Sequence, residues 1–362
     1  MCCIPVILAP VSVARAARLA ELDALRGVAV VMVLLYHYTT RFAELFPRAL
    51  PIPFDFPQGE FGVELFFLIS GFVITMTLER SKCASDFLVA RFSRLYPAYW
   101  MAVLLSTFVL AEAAGPFDVP SARQVAFNLT MVQGFFHVPS VDGVYWTLEV
   151  ELLFYALALA LFTTGFIRRL DKPLLIWLAL AALFASPLWD AYVDPLPLTG
   201  GLAKLLILPY APFFAIGILF HRLYRGEGTR VRNYGLIALA LAIVVCTAPL
   251  AMSAVTLAGC VAFSKLIRGG IPFLRLRPLV FLGTISYSLY LVHQKMGHIV
   301  MAKMADHGID PAYGLIVAAL ISIAVATALT FLVERPALNA IRDWYKTSSW
   351  RAKRHAAAAA RS

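Results

Sequence analysis

The chain has 362 residues, 61% hydrophobic and only 14% charged, with a mean hydropathy of +0.79. That balance lies outside the range of water-soluble domains and marks an integral membrane protein. The formal net charge of +10 does not describe a nucleic-acid binder, because basic and aromatic residues are nowhere interleaved in an exposed groove.

The first residues, MCCIPVILAPVSVAR, are apolar but lack the basic start of a signal peptide, so residues 1–21 read as an N-terminal cytoplasmic extension. Apolar runs long enough to cross a bilayer then follow near 26–46, 59–79, 95–114, 144–165, 173–190, 203–223, 234–249, 250–267, 279–301 and 313–334. The expected fold is therefore all-α, a polytopic bundle of about ten transmembrane helices in one domain over residues 22–336. The longest outside connection runs from about Gly115 to Gly143. Residues 337–362 form a basic cytoplasmic tail, ending in WRAKRHAAAAARS, whose low complexity reads as disorder.

Charge sets the expected orientation. With the N-terminus inside, only Arg41, Arg48, Arg123, Lys204, Lys295 and Lys303 of the 31 Lys and Arg residues fall outside, which leaves 25 on the inner side. An even helix count with both termini cytoplasmic follows from the positive-inside bias, and the expected location is the inner (plasma) membrane. Cys2, Cys3, Cys83, Cys246 and Cys260 form neither a disulfide framework nor a metal set. His293 and His298 lack a third ligand, so no metal is expected.

The polar residues within the apolar segments carry the chemical reading, because a charged group at membrane depth costs about 2.5–3.5 kcal/mol and tends to be functional. In LDALRGVAVVMVLLYHY, Arg26 and His37 are eleven residues apart, close to three helical turns, so they share a face roughly 16 Å apart along the axis. GEFGVELFFLISGF places Glu64 below the outer boundary with Ser70 and Gly71 deeper. WTLEVELLFY places Trp146 at the outer interface with Glu149, Glu151 and Tyr155 below it, and ISYSLYLVHQK returns His293 to the outer half. Four segments thus bring ionisable groups to a similar level, as in a polar reaction chamber.

A neutral imidazole is a proton acceptor suited to neutral pH, and a nearby carboxylate can orient it. His37 has the type and depth to withdraw a proton from an acceptor hydroxyl. Arginine binds phosphate through forked, charge-assisted hydrogen bonds. Arg26, with Arg91 and Arg94 in the basic loop, could therefore anchor the phosphates of an acyl-CoA whose pantetheine arm threads toward His37.

These segments resemble the membrane-bound acyltransferase-3 family, bacterial O-acyltransferases that modify surface glycans, peptidoglycan, signalling oligosaccharides and some antibiotics. The likeness starts at LDALRG with the Arg26-to-His37 spacing and continues through FGVELFFLISGF, where Glu64, Ser70 and Gly71 stand at the family's acidic and Ser-Gly positions. RFSRLYP gives the Arg-x-x-Arg-x-x-Pro pattern, WTLEVELLFY matches a further signature with Glu151 as its acid, and ISYSLYLVH and VERP, Glu334 to Pro336, complete the order. It covers roughly Leu22 to Pro336. Glu149 is a second acid where the family pattern is permissive. The His-x4-Asp spacing of His137 and Asp142, used by glycerolipid acyltransferases, is read as coincidence.

The expectation is an enzyme that moves a short acyl group, acetyl foremost, from cytoplasmic acyl-CoA to a hydroxyl of a cell-surface or exported glycan, with no bound cofactor. Arg26, Arg91 and Arg94 would hold the donor, His37 would act as base, and Glu151 or Glu64 would orient the imidazole. Ser70, Trp146, Tyr155 and His293 would contact the acceptor or support the site. A covalent acyl-His37 intermediate is an open variant. The competing reading is a transporter or flippase for a lipid-linked or acylated sugar, although no internal repeat supports it.

Overall fold

A computed structural model describes residues 13–47, 52, 54–113, 117–189, 191 and 199–348. The extreme N-terminus, including Cys2 and Cys3, and the tail from residue 349 lie outside the described residues. The described chain is all-α. Helix α1 (Val13–Tyr36) passes through a π-type turn, His37–Arg41, into α2 (Phe42–Leu45). Then come α3 (Gly62–Arg80), α4 (Ala84–Glu112), the short α5 (Ala122–Asn128), α6 (Trp146–Thr163), α7 (Asp171–Phe184), α8 (Thr199–Leu205) and α9 (Ala211–Arg225). The order closes with α10 (Arg230–Thr247), α11 (Leu250–Arg268), α12 (Arg277–Asp306), α13 (Pro311–Leu329), a second π-type turn at Thr330–Glu334, and α14 (Arg335–Thr347).

Each expected apolar segment overlaps at least one helix. Among the described residues, six stretches are long and apolar enough to cross a bilayer: Pro57–Arg80, Ala84–Glu112, Gly143–Thr163, Arg230–Thr247, Leu250–Arg268 and Pro311–Thr347. The remaining four explain why the expected count of ten is higher. Helices α1 and α12 carry the charged and imidazole residues of the site. Helices α7 and α9 have 14 and 15 residues, about 21–23 Å at 1.5 Å each, short of a hydrocarbon core of about 30 Å.

The segment expected as one helix over 203–223 is broken between α8 and α9, where Ile207 takes a left-handed φ of 46° two residues before Pro209. Pro209 has no N–H to bond back to the Leu205 carbonyl, so α8 cannot continue through it and the chain turns there. The tail also differs from expectation. Residues 335–347 are helical, and the Tyr345 hydroxyl donates to Asp86 Oδ1 (2.9 Å) and lies 3.0 Å from Ser85 Oγ, tying α14 under the start of α4.

Helix α9 is buried at every position from Ala211 to Arg222 and packs along α3. Helix α1 packs along α12, and α12 along α13. Two glycine contacts set these crossings. A Cβ on Gly27 would meet the Leu279 carbonyl oxygen at 2.6 Å, and one on Gly283 would collide with the Asp23 backbone. Between α3 and α9, Gly71 and Gly217 leave no room for a Cβ against Phe214 and Leu68 carbonyl oxygens. The first contact brings His37, in the π-type turn that follows α1, beside His293 on α12, and the second fixes the depth of Ser70.

Candidate active site

Six of the singled-out residues line one cavity of about 100 Å³: Arg26 from α1, Ser70 from α3, Arg91 and Arg94 from α4, and Glu151 and Tyr155 from α6. Helical spacing gathers them. Val63, Phe66, Phe67 and Ser70 are separated by three, four and seven residues, and Thr147, Glu151 and Tyr155 by four and eight, so each set projects from one face. Tyr287 and Tyr290 of α12 close the cavity.

Within it, Glu151 Oε1 accepts from Ser70 Oγ (3.0 Å) and from the Tyr155 hydroxyl (2.5 Å). The Arg91 guanidinium lies 5.9 Å from the Tyr155 ring centroid and donates to Thr77 Oγ1 (3.3 Å), while its Nε is buried with no acceptor. A buried guanidinium N–H without an acceptor costs free energy unless a ligand supplies one. Arg26 has only a loose contact with Asp23, 3.4 Å away on the same helix.

Arg94 differs from expectation. It is ion-paired to Glu334, which is buried at the end of the second π-type turn, and it lies over the Tyr287 ring at 5.6 Å. Its charge is already compensated, so it joins the cavity wall as half of an ion pair.

A second cavity of about 500 Å³ holds the other half of the expected site: His37, Glu64 and Trp146, with Arg41, Glu60 and Gln294. Trp146 stands at its rim, 44% exposed, with its ring 5.7 Å from that of Tyr210. Glu64 is buried and its Oε2 has no hydrogen-bond partner. Only Val63 and Tyr290 line both cavities. The Tyr290 hydroxyl is shared with Thr147 Oγ1 (2.8 Å) and donates to the Val144 carbonyl (3.3 Å), which holds the ring as a wall between them.

The hydrogen bonds assign the His37 tautomer. His293 Nδ1 lies 2.9 Å from the Tyr290 carbonyl oxygen and 3.1 Å from that of Leu289, so it carries the proton, and in the neutral ring Nε2 is an acceptor. His37 Nδ1 lies 2.8 Å from the Val33 carbonyl oxygen and 3.3 Å from His293 Nε2. It must therefore be the donor, and the His37 Nε2 lone pair has no hydrogen-bond partner among the described residues. Neither Glu151 nor Glu64 hydrogen-bonds the imidazole. The orienting contacts come from a backbone carbonyl and from His293, not from either carboxylate.

Three supporting residues were not foreseen. His298 Nε2 donates to the His37 carbonyl oxygen (2.8 Å) at the start of the π-type turn, a geometry that recurs at functional sites. Tyr38 donates to the His293 carbonyl oxygen (2.8 Å) and pairs with Ser322 Oγ (2.7 Å). Tyr290 is three residues before His293 on the same helix face. The recurrence Tyr287, Tyr290, Gln294 in α12 was the available signal, since it repeats at helical spacing.

Glu149 is a structural residue. It pairs with Lys204 (2.6 Å) and accepts from the Gly134 N–H (3.0 Å). Asp142 is buried in the loop before α6 and accepts from the N–H groups of Lys295 (3.2 Å) and Val144 (3.4 Å). Burial pushes its carboxyl up to about 6, against the lowering effect of those bonds and of the Lys295 charge. His137, by contrast, is exposed and caps a turn with a φ of 51°, in keeping with a coincidental spacing.

The family profile described as "Acyltransferase domain" matches residues 19–335. Similar proteins include the exopolysaccharide production protein ExoZ of Rhizobium meliloti (strain 1021), 26% identical, with 82% of this chain and 94% of that protein covered. Nodulation protein 10 of Rhizobium leguminosarum bv. viciae is 32% identical over 28% of this chain and 33% of its own length. The peptidoglycan O-acetyltransferase OatA of Listeria monocytogenes serovar 1/2a is 27% identical over 47% of this chain and 28% of its own. The chain thus spans a third or less of those last two relatives. No solved structure matches. Because the profile runs from residue 19 to residue 335 and takes in every helix that lines either cavity, the chain belongs to the acyltransferase-3 family of membrane-embedded acyltransferases.

Proposed function

We propose that the protein transfers a short acyl group, acetyl foremost, from cytoplasmic acyl-CoA to a glycan hydroxyl presented at the opposite face of the inner membrane. The observation that carries this reading is the pairing of two abutting cavities, one with an unsatisfied Arg91 Nε and a loosely held Arg26, the other with a His37 Nε2 that has no partner among the described residues. The printed names of the relatives, an exopolysaccharide production protein and a peptidoglycan O-acetyltransferase, support a glycan acceptor.

In this reading the donor enters from the basic face, its phosphates drawn to Arg26 and Arg91. The thioester reaches the wall at Val63 and Tyr290. His37 Nε2 takes the proton of the acceptor hydroxyl, whose oxygen attacks the thioester carbonyl carbon. The C–S bond breaks, and the thiolate leaves with CoA and is protonated. Electrostatic support for the imidazolium comes from the Val33 carbonyl and from Glu64 in the same cavity. The free Nε2 suits an acyl-His37 intermediate equally well, and that variant would leave an acyl-imidazole that hydroxylamine cleaves. Glu151, on the donor side of the wall, orders Ser70 and Tyr155 beside the carrier. A continuous passage for a sugar is disfavoured by the hydrogen-bonded wall.

The test is sidedness. Sealed inside-out vesicles should use added acyl-CoA, and sealed right-side-out vesicles should not until permeabilised. Equal use by both preparations would undo the one-sided donor site. Arg26→Lys is expected to weaken acyl-CoA binding by about tenfold or more, because an ammonium cannot form the forked contact with phosphate. Titration calorimetry giving unchanged donor affinity would make Arg26 structural.

A further inference from the structure

A separate pair of spaces lies between α3, α6, α7 and α9 and shares no lining residue with either reaction cavity. The first is an apolar cleft of about 290 Å³ walled by Leu78, Phe154, Leu161, Trp177, Leu206 and Ile218 among others. It opens into a vestibule of about 1060 Å³, and Thr75, Leu78, Ile167, Leu170 and Pro173 line both. The vestibule is lined by five basic and three acidic side chains.

Two of the three acids are paired with cations within the protein. Asp171 is held by Arg222 (2.6 Å) and by Arg232, and Glu79 by Arg225 (3.3 Å). Arg169 and Lys172 face the vestibule exposed and form no ion pair among the described residues. The vestibule also sits where the C-terminal ends of α3, α6 and α9 meet the N-terminal ends of α7 and α10, so it lies at the polybasic end of the bundle. Two cations with no ion pair among the described residues, continuous with an apolar cleft running into the bundle, form an amphipathic site.

We infer that this site holds one anionic glycerophospholipid, its phosphate at Arg169 and Lys172 and one acyl chain in the cleft beside Phe154 and Trp177. A free phosphate would leave the cleft empty, and a zwitterionic lipid would leave the charge excess uncompensated. Basic pockets between transmembrane helices recognise acidic headgroups in this way. The site is independent of acyl transfer.

The test uses the full chain in nanodiscs of phosphatidylcholine with a minority of phosphatidylglycerol, the retained lipid being counted by native mass spectrometry. Wild-type protein should keep phosphatidylglycerol in preference to phosphatidylcholine by on the order of tenfold. Arg169→Gln combined with Lys172→Gln should abolish the preference while some lipid remains. Ala160→Trp, which fills the cleft, should lower retention of both lipids, and added inorganic phosphate should displace neither. No preference in the wild type overturns the assignment. So does a preference that survives the paired glutamines, or retention unchanged in Ala160→Trp. Displacement by inorganic phosphate would reduce the site to a free-anion site and likewise defeat it.

Discussion

His37→Ala is expected to lower acyl transfer by about 10²- to 10⁴-fold, the usual worth of a positioned general base, and to leave the protein folded. The imidazole borders a cavity of about 500 Å³, so truncation enlarges an existing space instead of opening a void in packed core. The contact that fixes the local backbone survives, because His298 Nε2 donates to the carbonyl oxygen of residue 37 and not to its ring. Acyl-CoA binding should persist, since Arg26 and Arg91 line the other cavity. The checks are transfer of labelled acetyl from acetyl-CoA, donor affinity, and a melting curve in the same detergent. Near-wild-type transfer by the folded variant would remove His37 from the chemistry.

The segregation of the site into two chambers was only partly legible in the sequence. Apolar runs located the helices, and helical spacing grouped Arg26 with His37 and Glu151 with Tyr155, because periodicity reports which residues share a face. Hydropathy also places residues in depth. It does not give the azimuth of one helix about its neighbour, and the partners of His37 depend on that azimuth. Two carboxylates at the right depth looked like its orienting groups, but the close approach at Gly27 and Gly283 turns α12 so that His293 meets the imidazole instead. The π-type turns at His37–Arg41 and Thr330–Glu334 leave no periodic signature, since each inserts a local shift into an otherwise regular pattern. The join of Arg94 to Glu334 links residues far apart in the chain, which no local motif encodes.

That join carries the largest expected stability effect. Glu334→Gln is predicted to destabilise the protein by about 3–5 kcal/mol, because removing one member of a buried ion pair leaves the other charge uncompensated. Glu334 is 1% exposed, and its second oxygen accepts from Ser288 Oγ (3.0 Å), which in turn accepts from Thr330 Oγ1 (2.9 Å). The amide cannot neutralise Arg94 and keeps only part of that chain. Replacing both partners, Arg94→Met with Glu334→Met, should recover most of the lost stability, as apolar substitution of a whole buried pair often does. Thermal unfolding of the single and double variants in one detergent checks both statements. A Glu334→Gln protein as stable as wild type would mean that Arg94 finds its compensation elsewhere.

The wall formed by Val63 and Tyr290 has a bioenergetic consequence. An imidazole on one side and a carboxylate on the other are successive stations for a proton, and a charge crossing the whole membrane dissipates about 2.3 kcal/mol per 100 mV of potential. A polar bundle with no barrier between such stations would act as an uncoupler and drain the gradient of the cell that makes it. With its hydroxyl tied to Thr147 and Val144, Tyr290 separates the cavity of His37 from that of Glu151, and on the proposed reaction that separation would keep the two stations from short-circuiting an energised membrane.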